Sequence, residues 1–363
     1  MFERLDPHVG VRRLGRLVPG PAAAGVHCLQ ANNNLDLARH GGRLWLAWRT
    51  APSHFASALA RIEVSSIDDS ADPIIGPWRH EVTLEVGADL REPRLISDGN
   101  RLHLFAMELG TDPKRFQPRR TLRTALDPSG WTDPVTAIDD TIVPWRIRRL
   151  RGRWALLTYR GAERMYSARP ADPEVEIRWS DDLVVWSTPE VIHVGGTECE
   201  LVEIDDRFIG VTRNEGPGRF GSDVLVGTDL GSLHVTPVKR KLDSPNLVVW
   251  NGEPWLFARR SMANEGAYDV APAWLPGAVR IRVNQAIWST TRKRSAIYRI
   301  DPITGTVRWE ADLASGGDTA FAAVVPDGSD LLVADYRSPD GDPRWIRGQL
   351  RPTVIDLHRV TWG

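Results

Sequence analysis

A hairpin pattern that recurs six times constrains this 363-residue chain more than any other feature. In each copy an apolar segment leads into a short polar turn, and a second apolar segment follows. Asp-Gly and Asn-Gly turns between such segments are among the strongest sequence signals of a β-hairpin. The pattern therefore predicts an all-β chain. The six turns lie at Gly41-Gly42, Asp98-Gly99, Arg151-Gly152, Asp205-Asp206, Asn251-Gly252 and Asp327-Gly328.

Further strand-like segments lie between the hairpins, for example at 61–64, 175–178 and 295–299. Several are followed by a tryptophan that opens another strand. Four strands in each of six repeats predict a six-bladed β-propeller, with residues 1–363 forming a single domain. Two β-sandwiches are the alternative arrangement for the same strands. Residues 262–290 do not follow the repeat, and we expect a long insertion loop there.

The sixth repeat contains only three strand-like segments, at 321–325, 331–336 and 353–361. Residues 1–20 contain one more, at 11–18. We expect this N-terminal strand to close the last blade, because an unpaired edge strand invites aggregation.

Charge and hydropathy narrow the classes of partner. The 46 basic and 47 acidic residues leave a formal net charge of −1, which gives no electrostatic signal for nucleic acid. No apolar run approaches the roughly 18 residues of a membrane span, and no signal peptide is visible. We therefore expect a cytoplasmic protein without nucleic-acid or membrane partners. The oligomeric state stays open.

No cofactor or metal is expected from the motifs. Cys28 and Cys199 are too few for a disulfide scaffold or a cysteine-based zinc site. No histidine pair has metal-ligand spacing, and there is no phosphate-binding glycine loop. If the strand alternates strictly, Glu198 and Glu200 share one face and Cys199 the other. Cys199 is then a packed thiol rather than a nucleophile.

Propeller geometry predicts one polar mouth. The first strand of each blade lines the central channel, and its start meets the end of the second strand at one face. Ionisable residues from all the repeats would therefore converge there, whereas the opposite hairpin ends carry turn residues only. Paired structural charges along the channel are the alternative interpretation. The residues at these places include Asp36, Arg49, Glu92, Arg94, Glu198, Glu200, Arg213, Asn214, Asn246, Arg259, Asp318 and Tyr336, and His54 follows a strand end.

Five segments give the chain a resemblance to the bacterial sialidase superfamily over about residues 25–363. They are Trp48 to Phe55, Glu198 with Arg213 and Asn214, Ser244 to Leu247 with Arg259, Gly317 to Phe321, and a degenerate Asp-box at Ser180 to Trp186. The resemblance implies a six-bladed propeller that acts on carbohydrate. Two features of the family pattern are missing. Residues 32–36 lack the arginine that opens it, and residues 319–321 lack the nucleophilic tyrosine, which Tyr336 on the neighbouring strand could replace. Sialic acid itself is therefore not the expected substrate.

The leading functional hypothesis is a glycoside hydrolase-like enzyme acting on a terminal sugar that can be anionic. Guanidinium groups bind carboxylates bidentately, and glycoside hydrolysis usually needs two carboxyl groups. The preferred pair is Glu198 or Glu200 with Asp318. A polysaccharide lyase on uronic-acid glycans, with His54 or Tyr336 abstracting a proton, is the second hypothesis, and a non-catalytic propeller that binds a glycan or protein is the third. The catalytic candidates are Glu198, Glu200, Asp318, Asp36, His54 and Tyr336; the substrate-binding candidates are Arg49, Glu92, Arg94, Arg213, Asn214, Arg259 and Asn246.

Overall fold

The computed structural model describes residues 9–161, 163, 172–215, 220–339 and 341–362, and it contains 25 strands within these ranges. Strand β1 (Val9–Val18) comes first. The first three blades follow as β2 (Ala31–His40), β3 (Arg43–Ala51), β4 (Arg61–Asp68) and β5 (Arg79–Leu84); β6 (Asp89–Ser97), β7 (Leu102–Leu109), β8 (Pro118–Asp127), β9 (Gly130–Trp131) and β10 (Val135–Ile138); and β11 (Val143–Leu150), β12 (Arg153–Arg160), β13 (Glu174–Ser180) and β14 (Glu190–Val194).

The second half of the chain repeats the same arrangement three more times. Blade four contains β15 (Thr197–Ile204), β16 (Arg207–Asn214), β17 (Gly221–Gly227) and β18 (His234–Val238); blade five contains β19 (Asp243–Trp250), β20 (Glu253–Ser261), β21 (Lys293–Ile300) and β22 (Val307–Asp312); blade six contains β23 (Ala320–Asp327), β24 (Asp330–Arg337) and β25 (Val354–Trp362). Two α-helices interrupt the strands, α1 (Gly277–Ser289) and α2 (Trp345–Gly348), besides short 3₁₀ turns.

Each blade is an antiparallel sheet whose strands run outward from the channel in chain order. Blade six has the order β23-β24-β25-β1, so the N-terminal strand completes it. Val11 pairs with Val360 and Arg16 with Asp356 across this closure. The predicted six-bladed propeller is confirmed, and so is the closing strand, which begins two residues earlier than expected. The arrangement of two β-sandwiches is excluded.

The six inner strands form a closed ring. Strand β2 packs against both β6 and β23, and the ring continues through β11, β15 and β19. Apolar side chains fill the space between neighbouring blades. Trp45 and Val64 of blade one, for example, belong to one buried cluster with Leu90 and Leu104 of blade two. This burial supplies most of the stabilising free energy, because apolar surface is removed from water on both sides of each blade.

The connections from second to third strands carry the irregular structure. Helix α1 lies in the β20–β21 connection, where the sequence led us to expect an insertion, and α2 lies in the β24–β25 connection. Helix α1 is only weakly amphipathic, because Ile281, Asn284 and Trp288 are its only buried residues. Within the described ranges, neither helix is long and apolar enough to cross a membrane.

Candidate active site at the mouth of the propeller

A β-bulge interrupts every inner strand near its start. In five blades the bulge contains a non-glycine residue with positive φ, between +41° and +55°. This backbone region is costly for residues other than glycine and asparagine, and such residues concentrate at functional sites. In blade three the register shifts at Trp145 instead. The five residues with positive φ are Asn34, Glu92, Glu198, Ser244 and Phe321, and all five line one cavity.

Hydrogen bonds join these bulges in pairs across neighbouring blades. The Asn34 amide donates to Glu92 Oε1 at 2.9 Å. The backbone N–H of Ser244 donates to Glu198 Oε2 at 2.8 Å. These hydrogen bonds therefore stabilise the strained backbone at the bulges, and they fix the polar groups around the rim of the channel.

The cavity has a volume of about 380 Å³, which is within the range of small-molecule sites. Its walls come largely from second-to-third strand connections, because these leave the blades at the same face. Phe55 comes from blade one, Phe116 from blade two, Trp288 from α1 and Trp345 from α2. One side of the mouth is thus rich in aromatic groups.

Blades four and five form a charged wall, which we define as Glu198, Arg213, Glu215, Lys241, Asp243 and Arg259. Arg213 Nη1 lies 2.9 Å from Glu198 Oε1. Arg259 Nη2 lies 2.7 Å from Asp243 Oδ2. Lys241 Nζ lies 2.9 Å from Glu215 Oε1. All six side chains are buried, so these ion pairs act in a medium of low dielectric constant.

The two carboxyl groups at the centre of this wall are shifted in opposite directions. Burial raises the pKa of Glu198 despite the neighbouring Arg213. The pKa of Asp243 falls to about 2, because the attraction of Lys241, Arg259 and Arg213 outweighs its burial. Neighbouring acids with separated pKa values are the usual basis of distinct catalytic roles. Of these two carboxyl groups, Glu198 is the one that retains its proton to higher pH.

Lys241 is also enclosed by aromatic rings. Its ammonium lies 4.4 Å from the centroid of Tyr268 and 4.8 Å from that of Trp288. Tyr268 in turn donates its hydroxyl to Glu215 at 3.3 Å. The insertion after β20 therefore packs directly on the charged wall and completes this side of the mouth.

A second polar cluster centres on Asp318, from the connection before β23. Its Oδ2 lies 2.7 Å from His54 Nδ1. Its Oδ1 accepts from the Tyr336 hydroxyl at 3.3 Å and from Trp345 Nε1 at 3.1 Å. Burial and the charge of Asp318 raise the pKa of Tyr336 well above its usual value. The phenol therefore keeps its proton and donates a hydrogen bond to Asp318.

Several predicted site residues lie below the mouth, in ion pairs within the channel. Glu200 Oε2 lies 3.0 Å from Arg146 and its Oε1 lies 2.9 Å from Arg148. Asp36 contacts Arg146 at 3.5 Å. Asn246 accepts from Arg148 at 2.8 Å. Within the channel, these contacts agree with the alternative interpretation, in which the charged residues form structural ion pairs.

Three other candidates also lack a place in the cavity wall among the described residues. Arg94 binds Glu92 at 2.8 Å and lies against the Trp145 ring. Arg49 is fully buried and paired with Asp89 at 2.6 Å. Asn214 is buried at the end of β16. The structure thus brings His54, Glu92, Glu198, Arg213, Arg259 and Tyr336 to the cavity, with Asp318 hydrogen-bonded behind them.

The strict alternation predicted at 198–200 is wrong. Thr197 pairs with Arg213 and Glu200 with Val211, so the inner strand has one extra residue there. Glu198 is turned toward the mouth, while Glu200 faces the channel. Cys199 packs in an apolar cluster between blades three and four, and burial raises its pKa. Both cysteines are free thiols.

Sequence reasoning missed five groups of the site, because it was confined to hairpin ends. Asp243 begins β19 and Lys241 lies two residues before it, so a search of the inner-strand starts could have found both. Tyr268, Trp288 and Trp345 belong to connections without a repeat signal. In the described ranges, no group of three or more His, Cys, Asp or Glu side chains could hold a metal ion.

Solved structures share this architecture. Trypanosoma rangeli sialidase in complex with sialic acid matches at a TM-score of 0.60 and 11% identity, over 99% of this chain and 59% of that chain. The same sialidase with the inhibitor DANA matches at 0.62 and 12%, over 98% and 60%. Phage phi92 endosialidase matches at 0.60 and 9%, over 98% and 69%. This chain spans about three fifths of the sialidase's length.

By sequence, no protein-family profile and no curated protein match the chain. Its fold is nevertheless that of a six-bladed, sialidase-like propeller, and at these identities the likeness concerns the fold. The chain therefore shares its fold with these sialidase propellers.

Proposed function

We propose that this protein is a glycoside hydrolase-like enzyme that binds a terminal, anionic sugar in the mouth cavity. The observation that carries the proposal is the position of Glu198. This carboxyl group lines the cavity from blade four, is held by Arg213 and the Ser244 N–H, and has a raised pKa. A carboxyl group with a raised pKa is better suited than an ordinary one to protonate a glycosidic oxygen.

The charged wall supports an anionic substrate. With Glu198 protonated, the wall contains three cations and only two carboxylates, so it has an excess positive charge. Arg213 and Arg259 both line the cavity, and a guanidinium can bind a carboxylate through two parallel hydrogen bonds. We infer that these two arginines orient the sugar's acidic group, while the aromatic side of the mouth contacts its apolar face.

The size of the cavity favours a chain end. A volume of about 380 Å³ accommodates one sugar ring with part of the next, and the cavity is bounded by the inner-strand bulges below. The fold shared with a sialidase in complex with sialic acid supports the same class of ligand. Residues 32–36 contain no arginine and residues 319–321 contain no tyrosine, so we infer another acidic sugar.

The decisive experiment is hydrolysis of a panel of aryl glycosides that pairs acidic sugars with their neutral counterparts. We expect turnover of at least one acidic member and a preference of at least tenfold in kcat/KM over its neutral counterpart. Glu198→Gln should lose most of kcat while the protein stays folded. Glu203→Gln, at a partly exposed site on the same strand, is the matched control and should retain activity.

One specific observation favours the lyase hypothesis. His54 and Tyr336 contact the same carboxylate of Asp318, which is an arrangement that could abstract a proton beside a uronate. Uronate oligosaccharides in the panel separate the two reactions, because a lyase leaves an unsaturated sugar that absorbs ultraviolet light. Binding of an acidic sugar by calorimetry without turnover would instead identify a non-catalytic glycan-binding propeller.

A further inference from the structure

A contact with Asp318 through Nδ1 orients the His54 ring and leaves its other nitrogen, Nε2, available to act on a substrate. Nδ1 lies 2.7 Å from Asp318 Oδ2, and the imidazole side chain is 17% exposed where it lines the cavity. An ionised carboxylate can only accept, so Nδ1 carries a proton in this pair, and in the neutral tautomer Nε2 presents a lone pair. The Asn33 amide nitrogen is farther away, at 3.4 Å from the same Nδ1.

The Asp318 carboxylate is itself fixed on both oxygens. Tyr336 and Trp345 donate to Oδ1, and the backbone N–H of Asp318 donates to Ser338 Oγ at 3.0 Å. Arg91 also lies near His54, and its Nη2 donates to the His54 carbonyl at 2.9 Å. A carboxylate that orients an imidazole through Nδ1 is the arrangement by which enzymes prepare histidine as a general base.

His54 also faces Glu198 across the mouth. His54 belongs to blade one and Glu198 to blade four, and blades three apart in a ring of six stand on opposite sides of its axis. Both residues line the same cavity. A sugar in this cavity would therefore have a proton-donating acid on one side and an imidazole on the other.

We propose that His54 is the general base of the hydrolysis, that Asp318 is its positioning residue, and that the reaction inverts the anomeric centre. This inference rests on the proposed function. His54 Nε2 takes a proton from water as the water oxygen bonds to the anomeric carbon. The bond from that carbon to the glycosidic oxygen breaks, and the leaving oxygen receives the proton of Glu198. Imidazolium and carboxylate then return to their starting states through solvent.

Inversion follows because the base acts on water instead of the protein attacking the sugar. Inverting glycosidases leave room for this water between the two groups, whereas retaining enzymes place a nucleophile close to the acid. Tyr336 is buried and keeps its proton, so its hydroxyl acts here as a hydrogen-bond donor to Asp318.

The test begins with proton NMR of the first product formed by the wild-type chain on the best acidic glycoside. We expect the anomer opposite to that of the substrate. His54→Ala should reduce kcat about 100-fold or more, the contribution typical of general-base catalysis, with little change in KM. Added imidazole should restore part of the rate, and Asp318→Asn should also lower kcat.

His80→Ala provides the matched control. His80 contacts the Glu63 carboxylate at 2.9 Å, like His54 with Asp318, but it lies on β5 at the outer edge of blade one. This variant should keep the wild-type kcat. The circular dichroism spectrum and melting temperature of His54→Ala should match those of the wild type.

The outcomes separate this inference from the proposed function. Turnover with retention, an active His54→Ala, or a folded His54→Ala that imidazole does not rescue would overturn the role of His54 and leave the glycosidase proposal intact. A wild-type chain that cleaves no member of the panel would overturn both.

Discussion

Replacing Asp243 by asparagine tests the electrostatics of the charged wall. Asp243 is fully buried and pairs with Arg259 at 2.7 Å, and Lys241 lies 3.5 Å away. Its pKa is about 2 in the folded protein against an ordinary value of 3.8. A difference of that size corresponds to roughly 2 kcal/mol of folding free energy at neutral pH.

The sign follows from linkage. The folded-state pKa is depressed, so the stabilisation is fully present above pH 4 and is lost as the pH falls toward 2. At pH 3 about half of it remains. Asp243→Asn removes the charge but leaves Arg259 and Lys241 buried with fewer partners, which costs about 3 kcal/mol or more. For a chain of this length that is a fall in Tm of roughly 4 °C.

Calorimetric or denaturant unfolding of both proteins at pH 7 and pH 3 measures the effect. We expect the difference between wild type and variant to shrink at the lower pH. Asp206→Asn is the control, because this turn residue has a side chain that is 88% exposed and should change Tm by less than 1 °C. An Asp243→Asn protein as stable as the wild type at pH 7, or a difference that grows on acidification, would refute the reasoning.

Three further predictions concern the closing strand, the buried thiol and the arginines. Deletion of residues 1–20 should lower stability by several kcal/mol in a melting experiment, since β25 would lose its hydrogen-bonded neighbour; an unchanged Tm would contradict the role of the closure. Cys199→Ser should keep most activity, with a loss of about 1–3 kcal/mol from burying a hydroxyl; loss of turnover in a folded variant would make the thiol a catalytic group. Arg213→Lys and Arg259→Lys should each lower kcat/KM for acidic sugars by about tenfold or more, because lysine lacks the bidentate fork; equal kinetics on acidic and neutral sugars would reject carboxylate binding.

The repeat architecture could be predicted from the chain alone. A hairpin is local, since its turn and its alternating apolar residues lie within about fifteen positions of each other. Six such hairpins and one missing strand were therefore enough to predict the blades and their closure by the N-terminal strand. The convergence of His54, Glu198, Arg213 and Arg259 on one mouth also follows from this repeat, because each lies near the equivalent end of its blade.

Which side chains form the site depended on the tertiary structure. The bulge at Glu198 turns this residue away from Glu200, and a hydrogen bond from the Ser244 N–H of the neighbouring blade stabilises it. The partnership of His54 with Asp318 joins residues 264 positions apart. Contacts at that separation exist only once the ring has closed, because closure places the first and last blades side by side. The hairpin repeat thus specifies the blades and the face on which the site lies, whereas closure of the ring specifies which side chains meet there.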